Sequence, residues 1–271
     1  MRKKSNKSSL TNQEQYVKNH KLHHLQITLY RMAIFIVFLG IWELAARLGW
    51  IDEFFFSSPS GIIKCAIELA IQKGLLMHIG ITLLETSISF LLVCCLSMLA
   101  ATILWYSQKM SEIMEPYLVI LNSLPKSALA PLFIVWLGTG MTTIIVAGIS
   151  VAVFGSIISF YTGFKQIGSE KITLIYTLGG TKQHAFFKVV LPGSVPILIS
   201  TAKVNIGLAL VGVIIGEFLA ARRGLGYLII YGSQVFQLDM VITGIIILCL
   251  IAMGFYKAIQ QLEHYMKQKS S

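Results

Sequence analysis

Residues Gly80–Tyr106 read GITLLETSISFLLVCCLSMLAATILWY, 27 residues with Glu85 as the only charged side chain. At about 1.5 Å of rise per helical residue, such a run crosses the roughly 30 Å hydrocarbon core of a bilayer, which takes about 20 apolar residues. Its amides would find no water there, and the run is too long and continuous for a barrel strand, so it reads as a transmembrane helix. Five further runs share this character: Leu29–Gly49, Ile113–Leu137 broken by Pro125, Met141–Phe164, Ile197–Ala221 and Met240–Tyr256. The whole chain agrees, being 55% hydrophobic and only 13% charged with a mean hydropathy of +0.75. The expected fold is all-α, a polytopic membrane helix bundle of about six transmembrane helices.

Lysine and arginine orient the bundle, because cytoplasmic flanks carry them in excess. With the N-terminus inside, the cytoplasmic segments hold 15 of the 22 basic residues and the outer segments five, while Lys126 and Lys203 fall within spans. Both termini are therefore expected in the cytoplasm of a multi-pass cell-membrane protein. The net charge of +10 is spread over these flanks and is not interleaved with stacking aromatics. It reads as a topology signal and contact with anionic lipid, not as a nucleic-acid surface. The resulting plan is a polar cytoplasmic tail over residues 1–28, a first span over 29–49 and an outer amphipathic segment over 50–73. The main transmembrane domain follows over 74–257, containing a cytoplasmic loop over 165–196, and a cytoplasmic tail closes the chain over 258–271. The first span is too long for a signal-peptide core and is not followed by a small-x-small cleavage site, so it reads as uncleaved.

Catalytic and metal-binding patterns are missing. Cys65, Cys94, Cys95 and Cys249 lack CxxC spacing and read as small buried hydrophobes. His20, His23 and His24 cluster in the tail without a nearby carboxylate or thiol, so no metal site is expected. There is no GxSxG elbow, no HExxH helix and no GxxxxGK[ST] phosphate loop. The chain is thus not expected to be an enzyme or to bind a cofactor itself. Uphill movement of a solute would need an ion gradient or ATP held by another subunit.

The longest cytoplasmic loop contains Tyr176–Pro192, YTLGGTKQHAFFKVVLP. Leu174, Ile175, Leu178, Phe186, Val189 and Val190 recur at spacings compatible with one helical face across a short break. Gly179-Gly180 permits a positive-φ turn, which makes the element a helix, turn, helix. Pro192 and Pro196 are expected to stop the second helix and set the start of the fifth span. Periodicity alone leaves open whether this element docks a partner or rests on lipid headgroups with its lysines outward.

The order of residues decides between them. Gly179 followed by Val189-Val190-Leu191-Pro192 resembles the loop of permease subunits of binding-protein-dependent ABC importers. The detail is similar to their nitrate, sulfonate and taurine branch, with Thr177, Leu178, Gly179, Phe186, Val189, Leu191 and Pro192 matching. The third span adds Pro125-Lys126-Ser127-Ala128-Leu129-Ala130-Pro131-Leu132-Phe133-Ile134 with Trp136, Gly138 and Gly140. The fifth ends in Gly216-Glu217-Phe218-Leu219, followed by Gly224-Leu225-Gly226-Tyr227-Leu228-Ile229. One departure is Thr173, which stands near the start of the loop motif where such loops commonly carry a glutamate.

The resemblance implies a type I ABC importer permease fold and a subunit that moves a small solute, such as a sulfonate, taurine or nitrate. It further implies a second, identical permease chain, a dimer of cytoplasmic ATPases that bind the ATP, and an extracytoplasmic solute-binding protein or lipoprotein. Thr177, Leu178, Gly179, Gly180, Phe186 and Phe187 are then expected at the ATPase contact, with Val189, Leu191 and Pro192 as the hinge to the fifth span. Asn122, Ser123, Pro125 and Lys126, at the break in the third span, are expected along the translocation path, because broken helices at membrane depth line cavities. Glu217 is expected at the gate or paired with Arg222 or Arg223, since a charge at mid-membrane costs roughly 2.5–3.5 kcal/mol. The alternative is a gradient-driven secondary transporter, for which Glu43, Glu85 and Glu217 are scattered carboxylates.

Overall fold

The computed structural model describes residues 12–72 and 74–270; the start of the basic tail, Lys73 and Ser271 lie outside the described residues. Every element among the described residues is helical. The chain divides into two units, one ending at Ile63 and one beginning at Lys64.

In the first unit, α1 runs over Asn12–Arg47 and is followed by α2, Glu53–Phe56, and the start of α3, Pro59–Gln72. The apolar part of α1, Leu25–Arg47, suits a membrane span and has none of its most apolar window buried. The expected N-terminal tail is therefore helical from Asn12 onward, and the span does not begin a separate element at Leu29. Gln, Glu, Lys and Leu in this stretch are good helix formers, so the helix continues into the polar sequence. Glu43 ties the end of α1 to α3 by accepting from Arg47 Nε at 2.7 Å and from the Ser60 amide at 3.1 Å.

The second unit holds α4 (Leu75–Tyr106), α5 (Gln108–Ser123), α6 (Lys126–Leu137) and α7 (Met141–Lys165). It continues with α8 (Ser169–Thr177), α9 (Lys182–Ala185), a π-helical turn over Phe186–Val190, α10 (Leu191–Ala220), α11 (Leu225–Gln234) and α12 (Leu238–Ser270). Helices α4, α7, α10 and α12 are long and apolar enough to cross a membrane. Around α7, the helices pack through small and hydroxyl-bearing residues. A Cβ on Gly212 of α10 would lie 2.7 Å from Gly148 Cα and 2.8 Å from the Ala147 carbonyl oxygen, so only glycine lets these backbones approach. Ser89 and Ser97 of α4 donate to the α7 carbonyls of Ile145 and Val153 at 3.4 and 3.2 Å. Between α7 and α10, Ser156 donates to Asn205 Oδ1 at 2.7 Å.

Four sequence expectations change. The third span is not one helix: α5 and α6 meet at 94° about Leu124-Pro125. With 16 and 12 residues, neither half is long enough to span alone. The fifth span does not begin beyond Pro196 but runs unbroken over Lys182–Ala220. The π turn just ahead of Pro192 widens the helix where a proline ring would collide with the carbonyl four residues back, and the helix passes through both prolines. The C-terminal tail expected from residue 258 is a continuation of α12, pinned by an ion pair between Lys203 and Glu263. The cysteines are not fully buried: Cys65 and Cys94 are partly exposed, and Cys95 and Cys249 lie on outward helix faces.

Candidate functional site

The connection from α7 to α10 forms the first site, at what is here called the loop end. Helix α8 stops in a Schellman turn: Gly180 N–H donates to the Ile175 carbonyl at 2.8 Å and Gly179 N–H to Tyr176 at 3.0 Å. Gly179 has φ +78°, and a Cβ on Gly180 would run into Ile175, so each glycine answers a different local demand. The next helix starts with a reciprocal cap. Thr181 Oγ1 accepts from the His184 amide at 3.5 Å, and His184 Nδ1 accepts from the Thr181 amide at 3.1 Å.

The two adjacent phenylalanine rings touch edge to face at 5.3 Å, yet they differ sharply in burial, since neighbouring residues on a helix lie about 100° from one another. Phe186 is 2% exposed and its ring lies 5.1 Å from Trp105, 5.5 Å from Tyr106 and 5.5 Å from Phe164. Phe187 is 63% exposed, as are Leu178 at 76% and Leu174 at 57%. Phe186, expected on the outward contact, is instead the anchor that fastens the loop to the ends of α4 and α7. Lys182 reinforces it by donating to the Tyr106 carbonyl at 2.9 Å above the Trp105 ring. Thr177 and Gly179 are exposed, Gly180, Val189 and Leu191 are half-buried, and Pro192 is exposed. Thr173, in place of the glutamate, spends its hydroxyl on the Ser169 carbonyl at 2.9 Å.

At the bend between α5 and α6, Asn122, Ser123 and Pro125 are exposed. Lys126 Nζ donates to the carbonyls of Leu121 and Asn122 and stands over the Phe154 ring. It thus caps the negative end of α5, the natural place for a cation on a helix. Asn122 rests on α7, where a Cβ on Gly155 would stand 3.1 Å from its Oδ1.

The opposite, far end carries a buried polar network. Glu217 is fully buried and accepts from Thr82 Oγ1 at 2.6 Å and from the Gly226 amide at 2.5 Å. Thr82 in turn accepts from the Leu225 amide at 2.9 Å. A Cβ on Gly224, whose φ is +113°, would overlap the Glu217 carboxyl, which explains a glycine after the fifth span. Arg222 and Arg223 are exposed, and neither forms an ion pair with Glu217 among the described residues. Trp105, Tyr106, Lys182 and Thr82 escaped sequence reasoning, because their importance arises from contacts across helices, and Glu85 stood there only as a scattered carboxylate; the i, i+3 spacing of Thr82 and Glu85 within an apolar run was the one available signal.

The family described as "Binding-protein-dependent transport system inner membrane component" matches residues 94–264. A probable ABC transporter permease protein of Haemophilus influenzae is 30% identical over 229 residues, covering 84% of this chain and 92% of the relative. The formylaminopyrimidine transport permease protein of Halalkalibacterium halodurans is 28% identical, covering 85% and 91%. An aliphatic sulfonates transport permease protein of Bacillus subtilis is 25% identical, covering 79% and 78%. Among solved structures, a chain of an inward-facing methionine ABC transporter superposes with a TM-score of 0.64 at 19% identity, over 71% of this chain and 96% of its own. The fold is that of a type I ABC importer permease.

Proposed function

The chain belongs to the family of binding-protein-dependent transport system inner membrane components, and from that premise we propose how it works as the permease subunit of an ABC importer. The subunit is a multi-pass membrane protein that partners a separate ATPase and a solute-binding protein. In our reading it pairs with a second copy of itself and keeps both termini in the cytoplasm, so the loop end meets the ATPase dimer and the far end meets the binding protein.

The observation that carries this reading is the split between Phe186 and Phe187. An outward apolar face of Leu174, Leu178 and Phe187 is free to dock, while Phe186 and Lys182 fasten the same element to α4 and α7. Movement of the ATPase dimer on ATP binding then pushes a rigid hairpin whose continuation is the unbroken helix into α10. Val189, within the π turn, and Leu191 and Pro192, just beyond it, serve as the hinge. Coupling requires that the docked hairpin bind more tightly in one state of the bundle than in the other.

The translocation path is assigned to Asn122, Ser123, Pro125 and Lys126 at the bend, with Glu217 holding the far end closed. For the solute, the relatives' names offer aliphatic sulfonates and formylaminopyrimidine. We favour the heteroaromatic class, because Lys126 already spends its charge on α5 carbonyls and offers little to an anion; sulfonates are the second reading. Uptake in proteoliposomes holding the chain, its ATPase and its binding protein, challenged with each class in turn, decides between them. The mechanism itself is tested by Gly179→Asp. This variant is expected to insert normally and leave ATP hydrolysis running while uptake falls at least tenfold. Normal uptake by Gly179→Asp sinks the docking assignment.

A further inference from the structure

Glu85 and Glu217 look unrelated in the sequence, yet α4 and α10 bring them together at the far end. They are 3% and 0% exposed, and Glu85 lies one turn along α4 from Thr82, whose hydroxyl donates to Glu217, so the two carboxyl groups are neighbours. Two ionised carboxylates can only accept, so a buried neighbouring pair that forms no ion pair among the described residues takes one proton. The surroundings say where it sits. Donors converge on Glu217, from the Thr82 hydroxyl and the Gly226 amide, as a carboxylate requires. Among the described residues, Glu85 Oε2 and the neighbouring Thr86 hydroxyl have no hydrogen-bond partner. A buried anion without donors is far costlier than a neutral acid that donates.

We infer that Glu85 and Glu217 form a proton-binding carboxyl pair, with Glu85 as the acid and Glu217 as the carboxylate, clamping α4 to α10 and to the glycine turn at Gly224–Gly226. The surrounding donors fit an anion with one proton better than a metal cation, which takes several oxygen ligands and no N–H groups. Other titratable or charged groups at this end are few. His78 on α4 accepts from the Gly224 amide at 3.0 Å and stacks on Tyr227 of α11. The turn carries exposed Arg222 and Arg223, and α12 carries Asp239 in its first turn. From α7 the residues facing Gly216 are Ile144 and Ala147, which do not titrate. That this end is the solute gate rests on the importer reading; the shared proton does not.

Infrared spectra of the full-length chain in lipid nanodiscs test the pair. At neutral pH a carbonyl stretch of a protonated carboxylic acid is expected, shifted in heavy water and absent from Glu85→Gln. Absence of that band from the wild type, or its survival in Glu85→Gln, overturns the assignment. A second measurement follows thermal unfolding against pH. The folded pair keeps a proton that the unfolded chain releases, so its stabilisation is present at lower pH and lost as pH rises. The wild type is expected to lose stability toward alkaline pH and Glu85→Gln, whose amide donates without a proton, to lose less. His78, Tyr227 and the arginines are common to both chains and cancel. Stabilisation of the wild type by added sodium or calcium in place of protons also overturns the pair. None of these outcomes depends on uptake, so they fail separately from Gly179→Asp.

Discussion

At the loop end, α4 meets the start of the long α9–α10 helix through rings: Trp105 and Tyr106 against Phe186, with Lys182 above them. At the far end, the same two helices meet through hydrogen bonds between Thr82 and Glu217, closed by the amides of the glycine turn, with Glu85 buried beside them. Ring contacts are weakly directional and fall off gradually with displacement, so such a joint can shift and stay joined. A buried polar network is satisfied or broken, because every unpaired group in it carries its full desolvation cost. The molecule therefore has one end suited to being moved and one suited to holding until it lets go.

The hardest way to break the ring joint is Phe186→Ala. Removing a fully buried phenyl ring is expected to cost about 3–5 kcal/mol, seen as a lower thermal midpoint of the full-length chain in nanodiscs. Phe187→Ala, one residue along, is expected to change stability by less than about 0.5 kcal/mol and yet to lose uptake. Equal effects of the two on stability would show that the inward and outward faces are not distinct.

At the network end, Gly224→Ala adds a methyl group where the Glu217 carboxyl lies and forces φ +113° on a residue with a Cβ. The expected cost is about 1–3 kcal/mol, measured in the same unfolding assay, with smaller loss in Glu217→Ala/Gly224→Ala than the two single changes predict together. Strict additivity in that cycle would deny the contact. A smaller cost than that of Gly224→Ala belongs to Lys182→Met. It keeps the aliphatic stem, removes the cation over Trp105 and is expected to cost about 0.5–1 kcal/mol, with a blue or red shift in Trp105 emission as the local signature.

Much of this was legible in the chain itself, and the reasons differ from place to place. The apolar runs announced the membrane helices, because hydrocarbon demands length and internal hydrogen bonding of any span. Gly179 announced its turn through a positive φ that other residues rarely adopt. Pro192 misled: its missing N–H suggested a stop, whereas a π turn just upstream accommodates the ring and keeps the helix intact. Phe186 misled differently, since an apolar stripe does not say whether it faces a partner or its own bundle. Lys126, expected along the translocation path, has its Nζ held by the carbonyls at the end of α5, a contact that the sequence does not announce.

The sequence by itself determined an all-helical membrane protein, its loop hairpin, its permease family and the absence of an ATP-binding loop. Each of these depends on composition or on residues close together in the chain. The tertiary structure decided the 94° bend between α5 and α6, the inward turn of Phe186 and the meeting of Glu85 with Glu217. These depend on which helix faces approach one another. Hydropathy, blind to rotation about a helix axis, carries almost no information about that.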